Sequence, residues 1–348
     1  MTFNANAGKV LRGVLASFPD LESIDRSVPD QIYQTGAARK VNDPLSVWLS
    51  DLAVHELAPY WNENFEVEHW RFHFADFMSK NNWTVEDEVA WSQLMQQRPR
   101  HWIDNVIGTR SLRMVYQPIV EWVQHELVLY GHELLARADL ADGKSIAPDR
   151  LFKVARSAGR LYQLDRLCRT EALRASQLCP DGTKVFINFV PSSIYSPTDF
   201  LRTTITEAKR FDLNPSRIVF EVVETEPLED SARLLSLLDL CREHGFSYAL
   251  DDVGQGANTI ERLRQLRPDF VKLDRMYVSG IEAEPQKQEI AKRIAYEASL
   301  IDAVCIAEGI ERIEEGQYLR KIGYSIQQGY FYGQPEATPI REPRYSTR

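Results

Sequence analysis

Acidic side chains that follow short apolar runs are the residues of this chain best suited to chemistry. Asp251 and Asp252 close the run "SYAL" and are followed by Gly254 and Gly256. Other polar residues close comparable runs, and the whole set comprises Asn188, Glu221, Glu224, Asp251, Asp252, Lys272, Asp274, Glu308 and Glu311. The recurrence of this pattern suggests that the side chains meet at one place.

Carboxylates gathered in one place repel one another, and a divalent cation relieves that repulsion. The candidate ligands are oxygen donors without His or Cys, which favours Mg²⁺ or Mn²⁺ over zinc. Two such ions about 3.5 to 4 Å apart can share a bridging carboxylate and hydrolyse a phosphate ester. Lys272 could then orient the attacking water or neutralise phosphate charge.

Each residue taken alone also has a structural interpretation. An Asp that follows a strand commonly caps a helix or sits in a turn. Lys272 and Asp274 could form a surface ion pair, and Glu311 could simply begin the next helix.

The elements that must position these residues follow a repeating order. After residue 110, β-branched runs such as "KVFINFV" and "RIVFEVV" alternate with stretches of helical period such as "DSARLLSLLDLCREHG". This alternation predicts an α/β fold in residues 111–348, a parallel sheet covered by helices and closed into a barrel. In such barrels the carboxyl ends of the strands form the functional mouth.

The first 110 residues have a different character. They contain six of the seven Trp, and apolar residues recur at spacings of three and four in "PLSVWLSDLAVHELAPYW" and "VEHWRFHFADFMSKNNW". These spacings predict a mainly helical region, with Thr84 as the N-cap of one helix. The Trp residues are expected to form core, and the region to serve regulation or dimerisation.

Composition limits the possible partners and compartment. The 348 residues are 44% apolar with a net charge of −9 and no block of like charges, so DNA is not an expected partner. The four Cys form no CxxC pair, which indicates reduced core thiols. Neither a secretory leader nor an 18-residue apolar run is evident, so we expect a cytoplasmic protein that is not in the membrane.

Residues 112–340 resemble the EAL-domain family. "YQPIV" is similar to the family's first barrel strand, and "HELLAR" to its E-x-L-x-R motif with Leu134 in place of the usual Ala. The segments "INF", "FEVVE", "LDD", "VKLD", "AEGIE" and "QQGYFYGQP" follow in the family's order.

The resemblance implies a TIM-like (β/α)8 barrel of the EAL type. It also implies that the barrel uses two Mg²⁺ or Mn²⁺ ions to hydrolyse cyclic di-GMP to linear pGpG. It further implies that Lys272 holds the nucleophilic water, that Glu133 and Glu308 take part in catalysis, and that the barrels pair as a homodimer. The implied metal ligands are Glu133, Asn188, Glu221, Asp251, Asp252 and Glu308. The implied substrate contacts are Gln117, Arg137 and Gln328, and the implied loop supports are Glu224 and Glu311.

One loop departs from the family pattern. The family usually reads close to "DFGTGYSSL" where this chain reads "DVGQGANTI", and the family's E-x-T-E is E-V-V-E here. Relatives with an altered loop are often weak or silent enzymes. The expected function is therefore a cyclic di-GMP phosphodiesterase, whose activity the atypical loop after Asp252 could weaken. The alternative is a catalytically silent cyclic di-GMP receptor.

Overall fold

The computed structural model describes residues 11–29, 32–33, 37–79, 82–96, 102–139, 145–194, 196–223, 231–254 and 259–344. They separate into two compact units. Unit 1 comprises the described residues up to Ser111 with Asp149–Arg166 and Ser193–Ser196, and unit 2 comprises the rest. Among the described residues, no helix has the length and hydropathy needed to cross a membrane.

Unit 1 is built on an antiparallel sheet with the strand order β2-β3-β1-β4-β5. Its elements up to Thr109 are β1 Leu11–Ser17, α1 Leu21–Ser27, β2 Ala38–Lys40, β3 Ser46–Ser50, α2 Asp51–Asn64, β4 Arg71–Ser79, β5 Asn82–Val89, α3 Trp91–Gln96 and α4 Trp102–Thr109. The first six elements, from β1 to β4, run β-α-β-β-α-β, the order of a ferredoxin-like fold.

This sheet corrects the expectation of a mainly helical first region. The helix expected in "VEHWRFHFADFMSKNNW" is instead strand β4, and Thr84 lies within strand β5 rather than at a helix N-cap. The physical reason is the alternation of Trp70, Phe72 and Phe74, a period of two that fits a strand. The helix expected in "PLSVWLSDLAVHELAPYW" is present as α2, but it begins only at Asp51, because the first part of this run forms strand β3.

The aromatic side chains of unit 1 form its core. Trp61 is fully buried, and its ring centroid lies 5.3 Å from that of Trp70 and 6.4 Å from that of Phe72. The Trp61 indole donates a hydrogen bond to the Ser27 carbonyl at 2.8 Å, which satisfies its buried N–H. The expectation that these Trp residues are core is confirmed for Trp61 and Trp70.

Unit 2 contains the predicted barrel of eight strands. The strands in spatial order are β6 Leu112–Val123, β14 Ile326–Gln328, β13 Val304–Ala307, β12 Phe270–Leu273, β11 Ser247–Val253, β10 Ile218–Val223, β9 Lys184–Asn188 and β7 Glu126–Asp139, and pairing of β6 with β7 closes the ring. A short strand, β8 Ser145–Ile146, adds to the edge of β7.

Helices connect the barrel strands. They are α5 Pro148–Ser157, α6 Leu161–Ala175, α7 Pro197–Arg210, α8 Ser231–Glu243, α9 Thr259–Leu266, α10 Arg275–Val278, α11 Pro285–Ser299 and α12 Ile313–Lys321. Residues 149–166, which include α5 from Asp149 onward and the first turns of α6, group with unit 1. Seven barrel strands are parallel, as expected. The eighth, β6, is antiparallel to both neighbours because a two-residue turn, Gln124–His125, joins it to β7 as a hairpin.

Candidate active site at the barrel mouth

A layer of apolar side chains fills the barrel beneath its mouth, the rim formed by the carboxyl ends of the parallel strands. Seven strands contribute one buried residue each: Ile119, Phe186, Val219, Ala249, Phe270, Ile306 and Ile326. Strand side chains alternate between faces, so the residue two positions nearer the mouth shares the interior face. Those positions are Gln117, Asn188, Glu221, Asp251, Lys272, Glu308 and Gln328. Strand periodicity therefore aims all seven polar residues into one space.

Lys272 lies at the centre of that space and is fully buried. Its Nζ lies 2.5 Å from Glu308 Oε1, 3.2 Å from Asp251 Oδ1 and 3.7 Å from Glu133 Oε2, and it also contacts Glu221 Oε1. The alternative of a surface ion pair with Asp274 is excluded, because the lysine is enclosed by four carboxylates of other strands.

Two amides hold the carboxylates in place. The Asn188 side chain donates hydrogen bonds to Glu133 Oε1 at 2.8 Å and to Glu221 Oε2 at 3.0 Å. Gln328 donates to Glu133 Oε2 at 2.7 Å. Because hydrogen bonds to ionised groups are strong, these contacts fix the positions of both carboxylates.

The electrostatics of the cluster reflect an excess of negative charge. Burial raises the pKa of Glu221 and Glu308 well above the ordinary value, and the neighbouring carboxylates raise it further. Burial also acts to raise the pKa of Glu133, but the Lys272 ammonium and the two amides outweigh it and hold the pKa below its usual value. Burial disfavours the Lys272 cation, yet four carboxylates keep its pKa well above the ordinary value. A single ammonium thus balances the negative charge of several carboxylates only in part.

The paired aspartates lie at an irregularity in strand β11. The register with β12 shifts between Leu250 and Val253, and Asp252 has a left-handed φ of 55°. Such a bulge redirects side chains next to a site. One ligand atom from each of Asp251, Asp252 and Glu308 lies within 4.8 Å of the others, a group able to hold a metal ion.

Asp274, one of the polar residues expected at the strand ends, is a neighbour of the site to which the family resemblance assigned no role. Its carboxylate accepts a hydrogen bond from the Met276 amide at 2.6 Å and caps helix α10. It also shares a hydrogen bond with Asp252. Burial raises the pKa of the Asp252 carboxyl to about 7, and the charges of Asp251 and Asp274 add to the shift. Asp274 is therefore both a helix cap and a partner of a candidate ligand.

The other candidate residues lie around the cluster. Gln117 stands opposite Glu133 in the β6–β7 ladder. Arg137 lies four residues beyond Glu133 on the same face of β7, and its guanidinium donates to the Ala136 carbonyl at 2.9 Å. Glu311 forms an ion pair with Arg275 at 2.6 Å, away from Lys272. Glu224 lies outside the described residues.

Glu315 is a further supporting residue that the sequence did not reveal. Its buried carboxylate accepts hydrogen bonds from the amides of Gly280 at 2.9 Å and of Glu311 and Arg312 at 3.0 Å each. These bonds join the segments that follow β12 and β13. The usual sequence signal of a capping box is missing because Arg312, rather than Ser or Thr, occupies the N-cap.

Comparison with known proteins places the barrel in a family. A family model described as the EAL domain matches residues 100–335, and the chain belongs to the EAL domain family. The "probable cyclic di-GMP phosphodiesterase PdeG" of Escherichia coli K12 is 31% identical over 242 residues, which are 68% of this chain and 47% of that protein. The "cyclic di-GMP phosphodiesterase NbdA" of Pseudomonas aeruginosa PAO1 is 28% identical over 65% of this chain and 29% of its own length. The chain thus spans less than half the length of these two relatives.

Solved structures share the fold. A "standalone versatile EAL protein from Vibrio cholerae O395", solved in a "c-di-GMP bound form", superposes with a TM-score of 0.59 and 28% identity over 67% of this chain and 95% of that one. The FimX EAL domain of P. aeruginosa bound to c-di-GMP has a TM-score of 0.61 and 22% identity over 68% of this chain and 95% of its own, a likeness of fold alone.

Proposed function

We propose that this protein is a phosphodiesterase that hydrolyses cyclic di-GMP to linear pGpG. The observation that carries the proposal is the set of four carboxylates, Glu133, Glu221, Asp251 and Glu308, that converge on Lys272 at the barrel mouth. Family membership and the names of the relatives support the choice of substrate.

The residues present fit two Mg²⁺ or Mn²⁺ ions. The donors are all oxygen atoms, and their formal negative charge exceeds the single charge of Lys272. Glu221 Oε1 and Asp251 Oδ1 are buried and face the Lys272 ammonium. A carboxylate oxygen has two lone pairs, so each retains one for a cation. The proposed ligands are Glu133, Asn188, Glu221, Asp251, Asp252 and Glu308. Bound cations would supply a hydroxide at neutral pH and charge stabilisation for the leaving oxygen.

The chain's own residues would bind and orient the reacting groups. Lys272 holds the attacking water through its ammonium, with Glu133 fixed beside it by two amides. Glu308 accepts a proton from the attacking water, a role consistent with burial raising the pKa of its carboxyl group. Arg137 binds phosphate oxygens through its guanidinium, and Gln117 and Gln328 contact the nucleotide at the edge of the site.

A second candidate function is a cyclic di-GMP receptor without turnover. The observation that favours it is a departure from the family sequence at two places. Val253 replaces an aromatic residue in the loop after Asp252, and Val223 replaces Thr in "EVVE". Loss of one cation would remove stabilisation of the leaving oxygen and leave nucleotide binding largely intact. Retention of Glu133, Asp251 and Lys272 together favours hydrolysis.

Residues 1–110 form a separate domain in this proposal, ahead of the phosphodiesterase domain of residues 111–348. We propose that the first domain regulates the barrel or pairs two copies of the chain in a homodimer. Cyclic di-GMP is the proposed small-molecule partner.

The proposal is tested by incubating the protein with cyclic di-GMP and Mn²⁺ and separating the nucleotides by chromatography. We expect pGpG to accumulate, and Glu133→Gln to abolish its formation because the buried ligand loses its charge. Glu126→Gln is the matched control, an exposed glutamate at the other end of the same strand, and should leave turnover unchanged. Binding detected by calorimetry without pGpG would establish the receptor instead, and absence of binding would refute both functions.

A further inference from the structure

Helix α10, which begins three residues after Lys272, holds the backbone next to the paired aspartates. The Tyr277 hydroxyl donates a hydrogen bond to the Gly254 carbonyl at 2.6 Å. The Tyr277 ring also packs directly on Gly254, where an added Cβ would lie 2.5 Å from the ring. Gly254 has a left-handed φ of 118°, so neither the conformation nor the space suits another residue.

The segment that Tyr277 contacts is under conformational constraint. Asp252 adopts a φ of 55°, which is uncommon outside glycine, at the place where strand β11 loses register with β12. Such a backbone persists only where surrounding contacts enforce it. The enforcing contacts come from the segment that begins α10: the Asp274 amide donates to the Val253 carbonyl at 3.2 Å, and Tyr277 holds the next carbonyl along.

Helix α10 also contacts the segment that follows strand β13. A Cβ at Gly309 would lie 2.4 Å from the Arg275 side chain, and Arg275 pairs with Glu311. Helix α10 therefore contacts the segments after both β11 and β13, the two strands that supply Asp252 and Glu308. Tyr277 provides a side-chain hydrogen bond from α10 to the β11 segment.

We propose that Tyr277 is a positioning residue that fixes Asp252 in the orientation required to bind a divalent cation with Asp251 and Glu308. This inference rests on the proposed metal-dependent function and deepens it. Tyr277 acts through the backbone. Its hydroxyl fixes the position of the Gly254 carbonyl, and its ring prevents Gly254 from moving inward. Asp252 and Val253, which lie between Asp251 and Gly254, are thereby held in place.

The test compares Tyr277→Phe with the wild-type protein by titrating Mn²⁺ into the metal-free, nucleotide-free protein in a calorimeter. The substitution keeps the ring and removes one hydrogen bond. We expect the Mn²⁺ site that includes Asp252 to lose affinity about fivefold, the worth of one neutral hydrogen bond, with the other site unchanged. The Mn²⁺ concentration that gives half-maximal pGpG formation should rise by a similar factor.

Two further variants separate positioning from general stability. Tyr296→Phe removes the hydroxyl of a tyrosine that is 63% exposed on α11 and should leave Mn²⁺ affinity unchanged. Gly254→Ala should weaken the same Mn²⁺ site more than Tyr277→Phe does, and the double variant should be less affected than the product of the two single effects. Thermal midpoints measured in chelator check that each variant is folded.

Wild-type Mn²⁺ affinity in Tyr277→Phe would overturn the inference, as would equal weakening of both sites together with a lowered thermal midpoint. Failure of the proposed function gives a different result. Wild-type protein that binds Mn²⁺ but releases no pGpG would refute hydrolysis, and the calorimetric comparison of the variants would still decide the role of Tyr277.

Discussion

Replacing Lys272 by Met removes the single ammonium from the carboxylate cluster and retains an apolar side chain of similar length. The structure provides the distances for an estimate of the effect. Lys272 Nζ lies 2.5 Å from the Glu308 carboxylate, 3.2 Å from that of Asp251 and 3.7 Å from that of Glu133. With an effective dielectric constant of about 20, each of these attractions has a gross energy of about 4 to 7 kcal/mol. Desolvation of the buried ions offsets most of this sum, and carboxylates left unpaired take up protons.

The net loss expected for metal-free Lys272→Met is about 3–5 kcal/mol, the usual effect of removing one partner from a buried ion pair. For a domain of this size, that corresponds to a fall of roughly 6–20 °C in the thermal midpoint. Mn²⁺ should recover more of the midpoint in the variant than it adds to the wild type, because the carboxylates lack another counter-charge.

The assay is thermal unfolding followed by circular dichroism, in chelator and in Mn²⁺. Lys292→Met is the matched control: Lys292 lies half-exposed on helix α11 beside Glu289, and its replacement should leave the midpoint unchanged. A midpoint for Lys272→Met in chelator equal to that of the wild type would refute the reasoning, since it would mean that the ammonium does not neutralise the cluster.

Two other perturbations test the same structure. Asn188→Asp replaces an amide that donates to Glu133 and Glu221 with a further carboxylate, so the midpoint in chelator should fall by several degrees and Mn²⁺ should restore it; an unchanged midpoint would contradict the hydrogen-bonding scheme. The four cysteines are buried thiols, and burial raises the pKa of the Cys179, Cys241 and Cys305 thiols to about 12. Native protein should therefore resist a thiol reagent that labels four cysteines in denaturant, and rapid labelling without denaturant would show that the thiols are accessible.

The barrel could be predicted from the sequence because its strands carry strong local signals. Runs such as "KVFINFV" and "RIVFEVV" are β-branched, bounded by helical stretches, and end in polar residues. The antiparallel direction of β6 carried no comparable signal. Its turn, Gln124–His125, has a positive φ at Gln124 but lacks the Asn or Gly that usually marks such a turn.

The sheet of unit 1 was not predicted because its aromatic residues satisfy two periods. In "VEHWRFHFADFMSKNNW" the apolar residues recur at two as well as at three and four, and strand pairing with β1 and β5 decides between these periods. Pairing of this kind joins distant parts of the chain and is not visible in a local window.

The site residues could be identified from their positions at the strand ends, but the way they are arranged in the site could not be predicted. The end of each strand identified Asn188, Glu221 and Asp251 as candidates. The central position of Lys272 depends on four carboxylates from other strands, and the contact of Tyr277 with Gly254 depends on the bulge in β11. Both arise only when the barrel closes.

The central claim is that carboxylates from separate barrel strands bind divalent cations at one mouth, and anomalous diffraction from crystals soaked in Mn²⁺ tests it most directly. We predict strong anomalous peaks enclosed by Glu133, Asn188, Glu221, Asp251, Asp252 and Glu308. Well-ordered crystals with no peak among these residues, or with Mn²⁺ bound only elsewhere on the molecule, would contradict it.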